Sequence, residues 1–185
     1  EGYFLLVEAG RIDHAHHFSN AYRALADTVA LSDAVQWAVE NVDLQETLIL
    51  VTADHSHTMT ISGYPQRGNP ILGIVETEPD KPTLDAQGNP YTTLSYANGP
   101  GYKKPPPNFS DIDPQNPNYQ QLSTVPLPSE THAGEDVAAF PIGVIADAVR
   151  NVMEQNKLFK VMHNALLQQK TCVMQGASLP YLHLN

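Results

Sequence analysis

The chain is nearly without cysteine. Cys172 stands alone among 185 residues, so no intrachain disulfide can form and the cysteine count leaves the redox compartment open. Basic residues are scarce too, with 10 Lys and Arg against 20 Asp and Glu and a formal net charge of -10. That balance, with no basic patch interleaved with aromatics, argues against nucleic-acid binding as a function. Long apolar runs are also missing. None approaches the ~20 residues of a membrane-spanning helix, so no transmembrane segment is expected. The residues after Glu1 do not read as a signal peptide, and Leu179–Asn185 is too short for the hydrophobic tail of a lipid-anchor signal.

What the chain does have is carboxylate and imidazole at the ends of short apolar runs. Tyr3 to Val7 reads as a buried parallel strand rather than an alternating, half-solvated one, and Glu8 follows at its carboxyl end. In open α/β sheets that edge collects ligands, because the loops leaving the strands converge there. Asp13 and His17 come next, four apart, and share a face if the segment is helical. Thr47 to Ala53 forms a second such strand, crowned by Asp54, His55 and His57. His132 precedes a third apolar stretch, Val137 to Phe140. One Asp or His at a strand end is usually a cap or a turn former. Five of the eight histidines, however, lie between positions 14 and 57, at two separate strand ends. Together these residues point to a divalent-metal site. Mixed oxygen and nitrogen donors favour zinc or a similar first-row ion, and Glu8 alone better suits magnesium. His14, His16 and His57 alternate with the better candidates and are expected to be hydrogen bonders behind the ligands, or surface residues.

Between the clusters, Ser19 or Asn20 can cap a helix running to Asn41, with Leu25, Val29, Val35 and Val39 near helical spacing and Trp37 read as packing. A short strand is expected over Ile71 to Val75 and helices over Val144–Gln155 and Leu158–Gln168. From about residue 76 to 130 the prolines concentrate, Pro105, Pro106 and Pro107 among them, which forbids long helices. Tyr91, Tyr96, Tyr102, Phe109 and Tyr119 supply anchors that favour an ordered, loop-rich insertion over a linker. The expected organisation is a metal-binding α/β segment over residues 1–75, this insertion over 76–130, and a continuation of the core over 131–185.

The stretches VEAGRIDHAHH, VTADHSHTMTISGYPQRGN and THAGEDVAAF resemble the metal-binding blocks of alkaline phosphatases, the animal-type enzymes and their bacterial relatives, in the family's order and with compatible spacing. The resemblance runs from Gly2 to about Ala165. It implies a doubly wound, mostly parallel α/β sheet flanked by helices, with a crown-like insertion that holds the NGPGY element at Asn98–Tyr102. It implies Asp13, His17 and His132 as ligands of a first zinc, Asp54 and His55 as ligands of a second, and Glu8 as a magnesium ligand. His14 falls beside the magnesium water network, and Tyr64 matches a tyrosine that reaches the neighbouring subunit of a homodimer.

The family's nucleophilic serine and phosphate-clamping arginine belong to an upstream part that none of these motifs represents. Ser56, directly after His55, matches a serine that is not catalytic. The implied activity is hydrolysis of phosphate monoesters through a phosphoserine, releasing inorganic phosphate, in a secreted, periplasmic or cell-surface enzyme of which this chain is the carboxyl-terminal part. Two other readings remain open: a phosphodiesterase of the same metallo-hydrolase superfamily, and a noncatalytic zinc module. Structural zinc sites usually close with four protein ligands, often cysteine, which this chain does not supply near its histidines.

Overall fold

A computed structural model describes residues 2–105, 107–109 and 111–172. Pro106 and Leu179–Asn185, on which two of the expectations above fall, lie outside the described residues. Helix α1 spans Arg11–His17 and α2 Ala21–Asn41. The strands are β1 Leu48–Thr52, β2 Ser56–His57, β3 Met59–Ile61, β4 Glu76–Glu78, β5 Lys81–Pro82, β6 Leu94–Gly99, β7 Ser123–Pro126, β8 His132–Ala133 and β9 Ala139–Gly143. A 3-10 turn at Ala146–Ala148 and helix α3, Lys157–Cys172, complete the order.

Contacts divide the chain into two units. The larger takes residues 8–35 and 54–137, and the smaller takes 1–7, 36–53 and 138–185. In the larger unit β6 lies between β3, antiparallel, and β7, parallel, while β2 pairs with β8 and β4 with β5, both antiparallel. Its core is Ala21, Leu94 and Tyr96, with Leu25, Met59 and Leu72 packed against them. The small side chains of Ala21 and Ala24, both buried, let the start of α2 come close to this cluster. Burying Leu94 and Tyr96 contributes roughly 1.5–3 kcal/mol each.

Asn20 caps α2 as expected: its Oδ1 accepts from the Arg23 amide at 2.9 Å. Ser19, at the joint between α1 and α2, adopts φ 53°. Its carbonyl accepts from the Gln121 amide at 2.8 Å, and the Gln121 side chain in turn accepts from the Ala21 amide at 2.8 Å. This buried glutamine therefore ties a loop 100 residues distant to the first turn of α2.

In the smaller unit β1 pairs with β9 in antiparallel register, Leu48 opposite Gly143 and Thr52 opposite Ala139. The strand expected at Thr47–Ala53 is thus present, but its neighbour runs the other way. Tyr3–Val7 forms no strand ladder, and its side chains are 60–78% exposed. A central parallel strand needs a hydrogen-bonding neighbour along each edge, and no described segment provides one here. Trp37, expected to pack, is 66% exposed for the same reason: no described side chain covers that face of α2.

Two local expectations are corrected. Val144–Gln155 is not a helix. Ile145 at φ 52° and Asn151 at φ 59° sit in the left-handed region, which a right-handed helix cannot pass through, and only the 3-10 turn forms. Ile71–Val75 is not a strand either. The Gly73 amide turns back to the Pro70 carbonyl at 2.8 Å, and a single bridge joins Ile74 to Thr92.

Candidate metal centre

Three short elements of the larger unit, far apart along the chain, deliver the site. Helix α1 presents Asp13 and His17 from one face, one turn apart, as their spacing predicts. The segment entering β2 presents His55 and His57, and β8, paired to β2, presents His132 directly opposite His57. Asp13 lies at the focus. Its Oδ1 is 3.0 Å from His57 Nε2, 3.3 Å from His132 Nε2 and 3.9 Å from His55 Nε2, and its Oδ2 is 3.4 Å from His17 Nε2. The rings interlock: His55 stacks on His132 with centroids 3.5 Å apart, and His57 meets His17 edge-on at 5.2 Å. One ligand atom from each of Asp13, His55, His57 and His132 falls within 4.8 Å of the others.

The far side of each ring decides what the near side offers. His17 Nδ1 donates to the Glu130 carbonyl at 2.6 Å, His55 Nδ1 donates to the Ser56 carbonyl at 3.2 Å, and His57 Nδ1 faces the Glu130 carboxylate at 2.7 Å. A carbonyl can only accept, so the Nδ1 of His17 and of His55 carries the hydrogen and the neutral ring keeps its lone pair on Nε2. Lone pairs aimed at a carboxylate oxygen repel it unless a cation lies between. Imidazoles anchored through Nδ1 and open at Nε2 are the arrangement that metal-binding histidines adopt. The donor set therefore fits a borderline first-row ion such as zinc.

Burial would raise the Asp13 carboxyl, but the positive charge that His17, His57 and His132 carry when protonated, with the hydrogen bond from His57, outweighs it and holds the group below its ordinary value; a cation held by the unprotonated rings would act in the same direction. His16 points the other way, into the protein. Its Nδ1 is 2.9 Å from the Tyr96 hydroxyl, and burial, with His57 stacked 4.6 Å away, lowers its pKa to about 4. It is a neutral hydrogen bonder behind the site, as its position in the alternation predicts.

The remaining candidates stand at the margin. Asp54 is 83% exposed, and among the described residues its ion-pair neighbour is the adjacent His55, at 3.4 Å between Oδ2 and Nε2. Glu8 and His14 are exposed and belong neither to the Asp13, His55, His57 and His132 group nor to a second metal-compatible group of His17, His57 and Glu130; Glu8 folds back so that its Oε1 lies over Gly10. Tyr64 is 93% exposed. Two residues are more central than sequence reasoning made them. His57, its side chain 9% exposed, touches both Asp13 and Glu130, and strand alternation put it on the same face as His55. Glu130, fully buried, carried no sequence signal beyond lying two residues before His132.

A family model described as alkaline phosphatase matches residues 1–168. The tissue-nonspecific isozyme of alkaline phosphatase from Felis catus is 44% identical over 165 residues, 88% of this chain and 30% of that protein. The same isozyme from Homo sapiens is 45% identical over 166 residues, again 88% and 30%. Alkaline phosphatase 4 of Drosophila melanogaster is 45% identical over 183 residues, 89% of this chain and 29% of that protein. The chain thus spans about 30% of the length of these curated relatives.

Proposed function

The chain belongs to the alkaline phosphatase family, and from that membership and the geometry at Asp13 we propose that it forms the metal-binding part of an enzyme that hydrolyses phosphate monoesters. One observation carries the reading. Imidazoles from three separate elements, two of them with the Nδ1 hydrogen committed to a backbone carbonyl, bring their Nε2 atoms around one carboxylate.

In this reading Asp13, His17 and His132 hold one zinc, Asp54 and His55 supply ligands to a second, and Glu8 serves a magnesium with His14 nearby. Bound divalent ions supply Lewis-acid charge for the phosphoryl oxygens and lower the proton affinity of the nucleophile. The chain's own residues prepare that chemistry. Asp13 offers charge on two oxygens to two different faces of the site. His132, half exposed, forms the open side through which a phosphate group and its leaving alcohol pass. The nucleophile is a serine outside this chain, and a phosphoserine is the intermediate. The net charge of -10 does not oppose an anionic substrate, because bound cations reverse the sign within the pocket.

The same family reading supplies the larger frame: a doubly wound core built from residues 1–75 and 131–185, a crown-like insertion over 76–130, and a secreted or cell-surface homodimer in which the exposed Tyr64 reaches the second subunit. Among the described residues no helix is long and apolar enough to cross a membrane.

The test assays the complete enzyme on a phosphate monoester and a diester side by side, with His132→Ala as the variant. Monoester turnover is expected to dominate. Removing His132 leaves one zinc with two protein ligands, so zinc content should fall toward one ion per chain and turnover by more than about 100-fold, the upper range for losing an outer partner alone. Wild-type zinc content and turnover in His132→Ala would end the ligand assignment, and preferred diester cleavage would move the enzyme to the sister activity.

A further inference from the structure

We propose that Glu130 is the positioning residue of this metal centre, the group that holds His17 and His57 in register with Asp13; the proposal rests on the functional reading above. Its carboxylate is buried, and among the described residues its ion-pair neighbours are two histidines, with no Lys or Arg. A buried carboxylate is retained only where hydrogen bonds replace its lost water, and here three do. The Thr58 amide donates to Oε1 at 2.6 Å, the Thr58 hydroxyl donates to the same oxygen at 2.7 Å, and His57 Nδ1 lies 2.7 Å from Oε2. One side chain therefore fixes both the ring of His57 and the backbone that follows it into β3.

The backbone of Glu130 does the same for His17. Its amide donates to the His17 carbonyl at 2.9 Å, and its carbonyl accepts from His17 Nδ1 at 2.6 Å. The carboxylate anchored on Thr58 sets where that carbonyl stands, and the carbonyl sets which nitrogen of His17 faces Asp13. Next to it, the Thr131 amide donates to Asn98 Oδ1 at 3.0 Å while Asn98 Nδ2 donates to the Thr131 hydroxyl at 2.9 Å, which fixes the approach to His132. Helix α1, the β2–β3 segment and the strand carrying His132 thus meet at residue 130.

Glu130 brings a ligand atom within 4.8 Å of one each from His17 and His57, but its hydrogen bonds assign it the positioning role and not a bond to the ion. The His17 atom within 3.8 Å of its Oε2 is Nδ1, already committed to the carbonyl, and each carboxylate oxygen already has a hydrogen-bond partner.

The experiment compares wild type and Glu130→Gln in the complete enzyme, measuring zinc affinity by chelator competition, then monoester kcat and KM at limiting and at excess zinc. The amide keeps the size of the side chain but presents either a hydrogen to His57 Nδ1 or a weaker acceptor. Zinc affinity is expected to fall about 10–100-fold, with kcat depressed at limiting zinc, KM nearly unchanged, and turnover recovered as zinc is raised. A merely structural residue would not give zinc-dependent recovery. Unchanged zinc affinity in Glu130→Gln, or lost turnover that excess zinc does not restore, overturns the proposal. If Glu130→Gln does not fold, Thr58→Val decides. It keeps the carboxylate and removes one of its donors, and it should weaken zinc binding in the same direction by a smaller factor; wild-type affinity there overturns the proposal as well. A wild-type enzyme that takes up no zinc would instead refute the function proposed for the site, so the two failures are distinguishable.

Discussion

At the scale of single residues, the site is organised by which atom of each ring is already occupied. His17 and His55 were legible as ligand candidates from their places after Asp13 and Asp54, but sequence does not show which nitrogen faces inward. That is settled by two backbone carbonyls, one of them 113 residues away. Tyr119, within the proline-rich stretch, shows the opposite case of a polar atom left over. Its hydroxyl is buried without a hydrogen-bond partner among the described residues, and burial raises its pKa to about 12. A folded-state pKa above the unfolded value of about 10 leaves the group's contribution intact below pH 10 and removes it as pH rises from 10 through about 12, because only the unfolded chain gains the ionised form. Tyr119→Phe should therefore match or exceed wild-type stability near neutrality, by about 1 kcal/mol or less, and should lose less stability between pH 10 and 12. Thermal melts across that range check it; parallel curves for the two proteins would show that Tyr119 stays accessible to water.

At the scale of elements, helices were easier to read than strands. The cap at Asn20 and the apolar spacing after it announce α2, because helical hydrogen bonds are local and a helix carries its own signals. Tyr3–Val7 and Thr47–Ala53 read as equally good strands, yet only the second finds a partner among the described residues, since pairing is a property of the neighbour and not of the segment. The NGPGY element, read as part of a crown, proves to begin inside the larger unit's sheet. Gly99 ends β6 at φ +133°, a conformation that side chains strain. A Cβ there would lie 2.5 Å from the Ser19 hydroxyl and 3.0 Å from the Glu130 Cβ, so this glycine is where β6 passes between the joint of the two helices and the residue proposed to anchor the histidines. Gly99→Ala should cost about 2–4 kcal/mol from backbone strain and overpacking together. Urea unfolding measures that cost. A loss below ~0.5 kcal/mol would mean that Ser19 and Glu130 yield freely, and the platform beneath the site would then be softer than its packing implies.

At the scale of the whole molecule, the centre joins residues that the chain alone does little to hold together. Asp13 and His132 are separated by 119 positions yet lie 3.3 Å apart, and an ion at that point closes a loop containing most of the larger unit. Glu130 was illegible in the sequence for this reason. Its burial is produced by three elements that meet only when the chain has folded, and no periodicity in Pro128, Ser129 and Glu130 marks it. A cation that binds the assembled ligands, and not the separated ones, must stabilise the fold by mass action, by about 2.7 kcal/mol at a concentration 100 times its dissociation constant. Without it, the Nε2 lone pairs of His17 and His55 face Asp13 uncompensated. Removing metal from the complete enzyme with a chelator should therefore lower its melting temperature by several degrees, and zinc should restore it in proportion to the logarithm of its free concentration. The difference between the loaded and the metal-free protein should shrink as pH falls below about 6.5, where protons compete with the metal for imidazole. An apo protein that melts with the loaded one at every pH would mean that the ligands are held in place without the ion, and the coupling between metal and fold would be absent.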